Sequence, residues 1–251
     1  MKSKLLDQWF TTPETVALCM AHIDTSSFTD IIDPCAGDKA FKAHCSSFYD
    51  IDPRHPDIIQ QDFMELVLPY DKNRLFLTNF PYGKSGKLSI QMINHASTMA
   101  DTIATIVPNT LLRYSAQKRV NSELKLILSI SLPEKSFTLD GKPVDVPSQF
   151  QVWSRAGSCL RVPEPTIVDN DDWFFDNKNP NFIVMTNTRE VKRIEDMLPT
   201  NNCKKIHSHL SFEELVLRFG SVKWKGVPMM RGGGFSITNA ELSTQYKAGM
   251  V

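Results

Sequence analysis

The stretch FTDIIDP at residues 28–34 is a short apolar run followed by a polar turn, and this pattern decides the predicted fold. A short apolar run that ends at Asp33-Pro34 is typical of a strand. Similar runs follow at residues 47–51, 75–78, 103–107, 126–131 and 150–153. Stretches with helical spacing lie between some of them, at residues 87–100 and 113–124. Strands that alternate with helices predict an α/β fold with a mostly parallel sheet.

Polar side chains follow several of these predicted strands. In an open α/β sheet, ligands bind outside the carboxyl ends of the strands. We therefore expect a single crevice to be formed by Asp33, Asp50, Asp62 and Asn79. A helix start is predicted just upstream, where Thr12 can cap a helix whose first residue is Pro13.

The composition is that of an ordinary globular protein. Of 251 residues, 41% are apolar and 22% are charged, and 28 Lys and Arg balance 28 Asp and Glu. A chain-wide basic signature for nucleic acid is therefore excluded, and a nucleic-acid face must be local. The five cysteines lack C-x-x-C spacing, which favours free thiols in a reducing compartment and no metal site. Since no apolar run suggests a membrane span or a secretory signal, we expect an intracellular protein without a membrane partner.

The character of the sequence changes near residue 160. Prolines and acidic residues cluster at 163–172, and a predicted strand at 182–185 and a predicted helix at 212–219 follow. We predict a first domain at residues 1–160 and a smaller C-terminal α+β region at residues 161–251. Within the first domain, Asp140-Gly141 predicts a turn between the fifth and sixth strands.

Five segments resemble, in their order, the class I S-adenosylmethionine-dependent methyltransferases that act on amino nitrogens, above all the N6-adenine enzymes with an Asn-Pro-Pro-Tyr tetrapeptide. These segments are FTTP at 10–13, DPCAGDKAF at 33–41, YDIDP at 49–53, QDF at 61–63 and NFPY at 79–82. The resemblance spans roughly residues 9–155. It implies a Rossmann-like class I methyltransferase fold with a mostly parallel seven-stranded sheet, and S-adenosyl-L-methionine as the cofactor. It makes residues 1–160 the catalytic domain and 161–251 the substrate-recognition region.

The resemblance also implies which residues bind the cofactor. Asp50 stands where the family's acid accepts the ribose hydroxyls, Ile51 where a side chain packs on the adenine ring, and Asp62 where an acid accepts the adenine amino group. The full implied set is Phe10, Thr11, Thr12, Asp33, Ala36, Gly37, Asp50, Ile51, Asp62, Phe63 and Asn79. Lys39 departs from the pattern, which has a second glycine at that position.

The tetrapeptide Asn79-Phe80-Pro81-Tyr82 resembles the catalytic segment of the family. An adenine amino nitrogen is a poor nucleophile, because its lone pair is delocalised into the ring. The side-chain carbonyl of Asn79 and the backbone carbonyl of Pro81 can both accept from the amino group and so orient the nitrogen. Catalysis is then mainly alignment, and Tyr82 is expected to stack on the target base, which must be flipped out of a duplex. Phe80 departs from the commoner proline.

Substrate contacts are predicted at the tetrapeptide and at a basic, aromatic stretch near the C-terminus. The predicted residues are Phe80, Tyr82, Lys223, Trp224, Lys225 and Arg231. Interleaved basic and aromatic side chains are typical of nucleic-acid binding, so DNA or RNA is the expected partner, whereas the oligomeric state stays open.

Two alternatives stay open. A protein glutamine N5-methyltransferase poses the same alignment problem at a side-chain amide, and that family also carries Asn-Pro-Pro-Tyr. The departures at Lys39 and Phe80 motivate the second, a catalytically silent methyltransferase-fold subunit that binds nucleic acid or a partner enzyme.

Overall fold

A computed structural model describes residues 9–186, 188–196, 203–224 and 237–249. The chain divides into two compact units, Met1–Val162 and Pro163–Val251. No helix within the described residues is long and apolar enough to cross a membrane.

A seven-stranded sheet forms the centre of the first unit. Its strands are β2 (Asp30–Asp33), β3 (Ser47–Asp50), β4 (Ile59–Gln60), β5 (Asp71–Asn79), β6 (Ala100–Pro108), β7 (Lys125–Ser131) and β10 (Ser148–Ser154). Their order is β4-β3-β2-β5-β6-β10-β7, and β10 runs opposite to the other six strands. The prediction of a Rossmann-like, mostly parallel seven-stranded sheet is confirmed.

The middle of this sheet is apolar on both faces. Leu75, Phe76 and Leu77 of β5 and Ile103 and Ala104 of β6 are fully buried. Phe76 and Ile103 pack in one hydrophobic cluster, whereas Leu75, Leu77 and Ala104 pack in a second cluster on the other face. Continuous apolar runs of this kind are what doubly covered parallel strands require. The buried strands therefore give the polar residues at their carboxyl ends a rigid base.

The helices of the first unit are α1 (Pro13–Met20), α2 (Lys87–Ala96) and α3 (Tyr114–Gln117), with 3-10 turns at Phe63–Glu65, Lys84–Gly86 and Asn109–Leu112. The predicted start of α1 is confirmed, since the Thr12 hydroxyl accepts from the Thr15 N–H at 3.3 Å. The helix predicted at residues 87–100 is shorter, because Ala100 already belongs to β6.

The helix predicted at residues 113–124 is mostly wrong, since only Tyr114–Gln117 is helical. Side chains replace the helical hydrogen bonds beyond it. The Asn121 amide oxygen accepts from the Glu123 N–H at 3.0 Å, which makes a local turn. The Arg161 guanidinium donates to the carbonyls of Gln117 at 2.9 Å and Leu124 at 2.6 Å. These contacts offer the backbone an alternative to a longer helix.

A small antiparallel sheet carries the N-terminal described residues. It consists of β1 (Phe10–Thr11), β8 (Phe137–Leu139) and β9 (Lys142–Val144), in the order β1-β8-β9. The predicted turn joins β8 and β9, where Asp140 and Gly141 both have positive φ, 50° and 74°. Two such residues are what the tight hairpin turn requires. The hairpin thereby provides the edge to which β1 pairs.

The second unit is the predicted α+β region. Its strands are β11 (Trp173–Phe175), β12 (Phe182–Met185), β13 (Val191–Arg193) and β14 (Cys203–Ser208), and its helices are α4 (Phe212–Ser221) and α5 (Asn239–Gly249). The strands form an antiparallel sheet in the order β11-β14-β12-β13. Beside its apolar core, Asp172 accepts from the Arg218 guanidinium at 2.8 Å and from the Tyr246 hydroxyl at 2.7 Å. A paired buried acid of this kind costs less than an isolated one.

Candidate active site

The carboxyl ends of neighbouring parallel strands line a cavity of about 410 Å³ in the first unit. Asp33 ends β2, Asp50 ends β3, Asp62 follows β4 and Asn79 ends β5, so the sheet order brings these side chains to one edge. All of them line the cavity, as the strand ends predicted. Its volume lies within the usual range for small-molecule sites.

Most of the residues predicted to bind a cofactor are among those that line this cavity. They are Phe10, Thr11, Asp33, Ala36, Gly37, Asp50, Ile51, Asp62, Phe63 and Asn79. Thr12 is not among the lining residues; its side chain caps α1 instead. Lining residues that the motif comparison did not single out include Asp38, Leu88 and Met92. In the sequence they differ from other residues only by lying near a motif. Asp38 follows Gly37, and Leu88 and Met92 lie in α2, which comes after the tetrapeptide.

Asp33 is the most deeply buried acid of the cavity, at 2% exposure. Its Oδ1 accepts from the Thr78 hydroxyl at 2.7 Å and from the Cys35 N–H at 3.2 Å. Burial raises the pKa of Asp33 to about 7, and the nearby carboxylate of Asp50 adds to the rise. Burial also raises the pKa of the neighbouring Cys35 thiol, so this thiol stays protonated at neutral pH.

Asp50 holds the turn that follows β2. Its Oδ2 accepts from the Gly37 N–H at 2.8 Å, and its Oδ1 accepts from the Asp52 N–H at 2.8 Å. Each carboxylate oxygen can accept a further hydrogen bond, so Asp50 retains acceptor capacity toward a ligand. Gly37 has φ 53°, and a side chain at this position would meet the Phe10 ring. The positive φ therefore favours glycine at this position, where the backbone lines the cavity without a side chain.

Lys39 adopts the backbone conformation for which the family pattern has a glycine. Its φ is 63°, which is unfavourable for a residue with a side chain. Its ammonium lies 3.3 Å from the Asp57 carboxylate and 4.2 Å from the centre of the Phe48 ring. The turn thus has at Lys39 a backbone conformation that favours glycine.

Asp33, Asp50 and Asp62 form the acidic edge of the cavity, which Ile51 also lines. The Asp62 Oδ1 accepts from the Met64 N–H at 2.8 Å and caps the 3-10 turn. Ile51, directly after β3, is 55% exposed and lines the cavity. An exposed apolar side chain beside two acceptors suits a flat ring that carries polar groups.

The nitrogen and the oxygen of the Asn79 side-chain amide differ in their hydrogen bonding. Its Nδ2 donates to the Trp9 carbonyl at 3.3 Å and to the Thr11 hydroxyl at 3.2 Å. A backbone carbonyl can only accept, so this contact fixes which end of the amide is nitrogen. The Asn79 Oδ1 is buried and has no hydrogen-bond partner among the described residues. Since such atoms are nearly always paired, an acceptor that is unpaired beside a cavity marks a position for a ligand donor.

Pro81 also lines the cavity, and its backbone carbonyl accepts from the Ser89 hydroxyl at 3.1 Å. A carbonyl oxygen has two lone pairs, so it keeps one for a ligand. Ser89 lies in the first turn of α2, which thereby holds the tetrapeptide in place.

Phe80 and Tyr82 do not face the cavity as predicted. Phe80 is fully buried and its ring stacks on Phe63 at 5.6 Å between centroids, so this structure lends no support to the predicted substrate contact of Phe80. Tyr82 is 3% exposed, its ring packs 5.2 Å from Trp9, and its hydroxyl lies 2.7 Å from the Ser148 hydroxyl. Tyr82 is thus a core residue in this structure, and the prediction that it stacks on a base does not fit this position.

The predicted C-terminal substrate residues are only partly described. Lys223 is exposed, whereas the Trp224 ring stacks on Phe219 at 5.6 Å and donates to the Phe219 carbonyl at 3.1 Å. Trp224 therefore packs within its own unit. Lys225 and Arg231 lie outside the described residues. No cluster of three or more potential metal ligands is found in the described ranges.

Comparison with known proteins gives fold-level likeness only. No family model and no curated protein matches the chain. Among solved structures, it is similar to the 23S rRNA methyltransferase ErmE, with 15% identity over 61% of this chain and 72% of that one and a TM-score of 0.42. It is also similar to PH1948, a candidate RNA methyltransferase from Pyrococcus horikoshii, with 14% identity, 59% and 87% coverage and a TM-score of 0.39. A third is the mitomycin 7-O-methyltransferase MmcR, with 12% identity, 57% and 54% coverage and a TM-score of 0.39. At these values the likeness carries no argument about the substrate.

Proposed function

We propose that this protein is an S-adenosylmethionine-dependent methyltransferase that transfers a methyl group to N6 of adenine in DNA or RNA. The observation that carries the proposal is the unpaired, buried Oδ1 of Asn79 at the cavity edge. This oxygen can accept one hydrogen bond, and the amino group of adenine is a donor.

The charge of the cavity supports a cationic cofactor. Asp33, Asp38, Asp50 and Asp62 all line it, and the described lining residues include no Lys or Arg. A pyrophosphate, as in a dinucleotide, would be repelled by these carboxyl groups, whereas a sulfonium would be attracted. The Rossmann-like sheet alone would allow either cofactor, and the acidic lining supports S-adenosylmethionine.

The residues of the cavity also fit the rest of that cofactor. Asp50 retains acceptor capacity for ribose hydroxyls, and Asp62 provides a carboxylate for an adenine amino group. Ile51 offers an exposed apolar side chain for the ring. The open turn at Gly37 lets the backbone approach closely. When bound, the cofactor supplies an activated methyl group on a sulfonium whose leaving group is a neutral thioether.

The chain itself contributes alignment. The Asn79 Oδ1 and the Pro81 carbonyl accept from the amino group of the substrate and hold its nitrogen in one orientation. Thr11 and the Trp9 carbonyl position the Asn79 amide, because they bind its nitrogen, and the oxygen of this cavity-lining residue is left unpaired. Alignment of two reacting groups can contribute about 7–11 kcal/mol, so no acid or base needs to act on the leaving group.

A glutamine side-chain amide is the second candidate substrate. The observation in its favour is the burial of Tyr82, which removes the ring expected to distinguish a base from an amide. The same two acceptors would bind either nitrogen.

Labelled methyl transfer separates these possibilities. The purified protein is incubated with S-adenosylmethionine that carries a labelled methyl group and with DNA, RNA or a protein extract. We expect acid-precipitable label that nuclease releases and protease does not. Label that only protease releases would make a glutamine amide, in place of adenine, the inferred substrate. No incorporation despite measurable cofactor binding would contradict the enzyme proposal.

A further inference from the structure

We infer that Trp9, rather than Tyr82, is the aromatic residue that stacks on the target base. This inference rests on the proposed function, because it concerns the substrate end of the same cavity. Trp9 is one of the lining residues and is partly exposed, whereas Tyr82 is buried and absent from the described lining.

Tyr82 is held in the core by its hydroxyl. The Ser148 hydroxyl donates to the Val146 carbonyl at 2.8 Å, so in the 2.7 Å contact between the two hydroxyls Tyr82 is the donor. The ring belongs to the same hydrophobic cluster as Phe137 and Phe150. If Tyr82 turned toward a substrate, the buried Ser148 hydroxyl would lose this donor and the cluster would lose a large side chain.

Trp9 is joined directly to the residue that aligns the amino group. Its carbonyl accepts from the Asn79 Nδ2 at 3.3 Å, so the Trp9 backbone and the free Asn79 Oδ1 are fixed relative to each other. A base whose amino group binds that oxygen therefore lies beside residue 9. Its aromatic ring suits a base better than an aliphatic amide, because stacking needs two flat faces.

Tyr82 then has a supporting role. Its ring lies 5.2 Å from the Trp9 ring at an interplanar angle of 54°. This tilted contact packs one side of Trp9 against the core and limits its motion. Both positions are aromatic in the sequence. In the structure, Trp9 lines the cavity and Tyr82 packs against the Trp9 ring.

Binding to matched oligonucleotides tests this inference without relying on turnover. Single-stranded RNA and DNA oligonucleotides with one central adenine in a pyrimidine sequence are compared with the same strands that carry an abasic site instead. The Kd of each is measured by fluorescence polarisation at saturating S-adenosylhomocysteine. The preference for adenine over the abasic site is determined for the wild type, Trp9→Ala, Trp9→Phe and Tyr82→Phe.

We expect Trp9→Ala to reduce this preference by roughly 5- to 150-fold, the equivalent of about 1–3 kcal/mol for one stacked base. Trp9→Phe should restore most of it, because phenylalanine keeps a flat ring and both variants keep the backbone carbonyl that holds Asn79. Tyr82→Phe should keep the preference and lower the stability of the fold. A cooperative thermal unfolding transition in each Trp9 variant shows that it folds.

An unchanged adenine preference in Trp9→Ala, or a wild type without any preference, would overturn the inference. A preference that depends on Trp9 in a protein that methylates no nucleic acid would sustain the inference and contradict the proposed activity. The two failures are therefore distinguishable.

Discussion

The acidic edge of the cavity and the end of β5 satisfy their hydrogen bonds differently. At the acidic edge, Asp33, Asp50 and Asp62 each accept at least one hydrogen bond from the protein. At the end of β5, the Asn79 nitrogen is doubly bound but its oxygen is unpaired. The acids of the acidic edge thus have hydrogen bonds within the protein and further acceptor capacity, whereas the Asn79 oxygen at the end of β5 has no partner among the described residues.

This difference separates binding from alignment. Substitutions in the acidic edge should change cofactor affinity and stability, because its side chains hold loops. Substitutions at Asn79 should change turnover, because its unpaired oxygen is the group proposed to align the substrate. The following predictions test this separation, starting with the largest expected effect.

The largest effect is expected for Asn79→Ala. We predict that kcat falls about 100- to 1000-fold, the range seen when one preorganised hydrogen-bonding group is removed from other active sites. The Kd for S-adenosylmethionine, measured by calorimetry, should change little. Thr11→Val is the matched control, since it removes only one of the two acceptors that position the Asn79 nitrogen and should lower kcat less. A large loss of cofactor affinity in Asn79→Ala with normal turnover at saturation would reverse the assignment.

Asp33→Asn should change how stability depends on pH. The pKa of Asp33 is about 7 in the fold and about 3.9 in an unfolded chain, so the folded state retains the proton to higher pH. Its contribution is therefore present below about pH 4 and is lost as the pH rises through about 7. As the pH rises through this range, the free energy of unfolding of the variant should increase relative to that of the wild type by at most on the order of 4 kcal/mol. Urea unfolding at several pH values measures this gain, and parallel curves for the two proteins would refute it.

Asp50→Ala should weaken cofactor binding about 10- to 100-fold, because hydrogen bonds to a charged group are worth about 1.5–3 kcal/mol. It also releases the Gly37 N–H and the Asp52 N–H from their acceptor. Asp50→Asn is the control, since it keeps one acceptor oxygen and should bind with intermediate affinity. Calorimetry gives the three values, and equal affinity for all would remove Asp50 from the site.

The smallest effect is expected at Lys39. Lys39→Ala removes the contacts with Asp57 and Phe48 but keeps a side chain at φ 63°. Lys39→Gly removes the same contacts and also relieves the backbone. We predict that the glycine variant is more stable than the alanine variant by about 1 kcal/mol in chemical unfolding. Equal stability would show that the turn does not require a glycine-like backbone.

The acids and Asn79 could be placed from the sequence because parallel strands share one orientation, so their carboxyl ends meet at one edge. The direction of Phe80 and Tyr82 could not be predicted, because it depends on partners distant in sequence. Phe80 stacks on Phe63, and Tyr82 binds Ser148, which lies on another strand. Neither partner carries a local signal.

The helix predicted at residues 113–124 failed for a similar reason. Helical spacing describes a segment by itself, whereas the Arg161 guanidinium reaches back across the chain to carbonyls of that segment. The unpaired Asn79 oxygen is likewise visible only when every neighbour is in place. That Asn79 aligns the substrate stays a prediction from the sequence, and the three-dimensional contacts explain how its amide is oriented.

The most direct test of the account is the chemical identity of the product. DNA and RNA are incubated with the wild type and with Asn79→Ala at saturating S-adenosylmethionine, digested to nucleosides and analysed by mass spectrometry. We predict N6-methyladenine nucleosides with the wild type and a loss of about 100-fold or more with the variant. A methylated base other than adenine, or equal N6-methyladenine from both proteins, would contradict it.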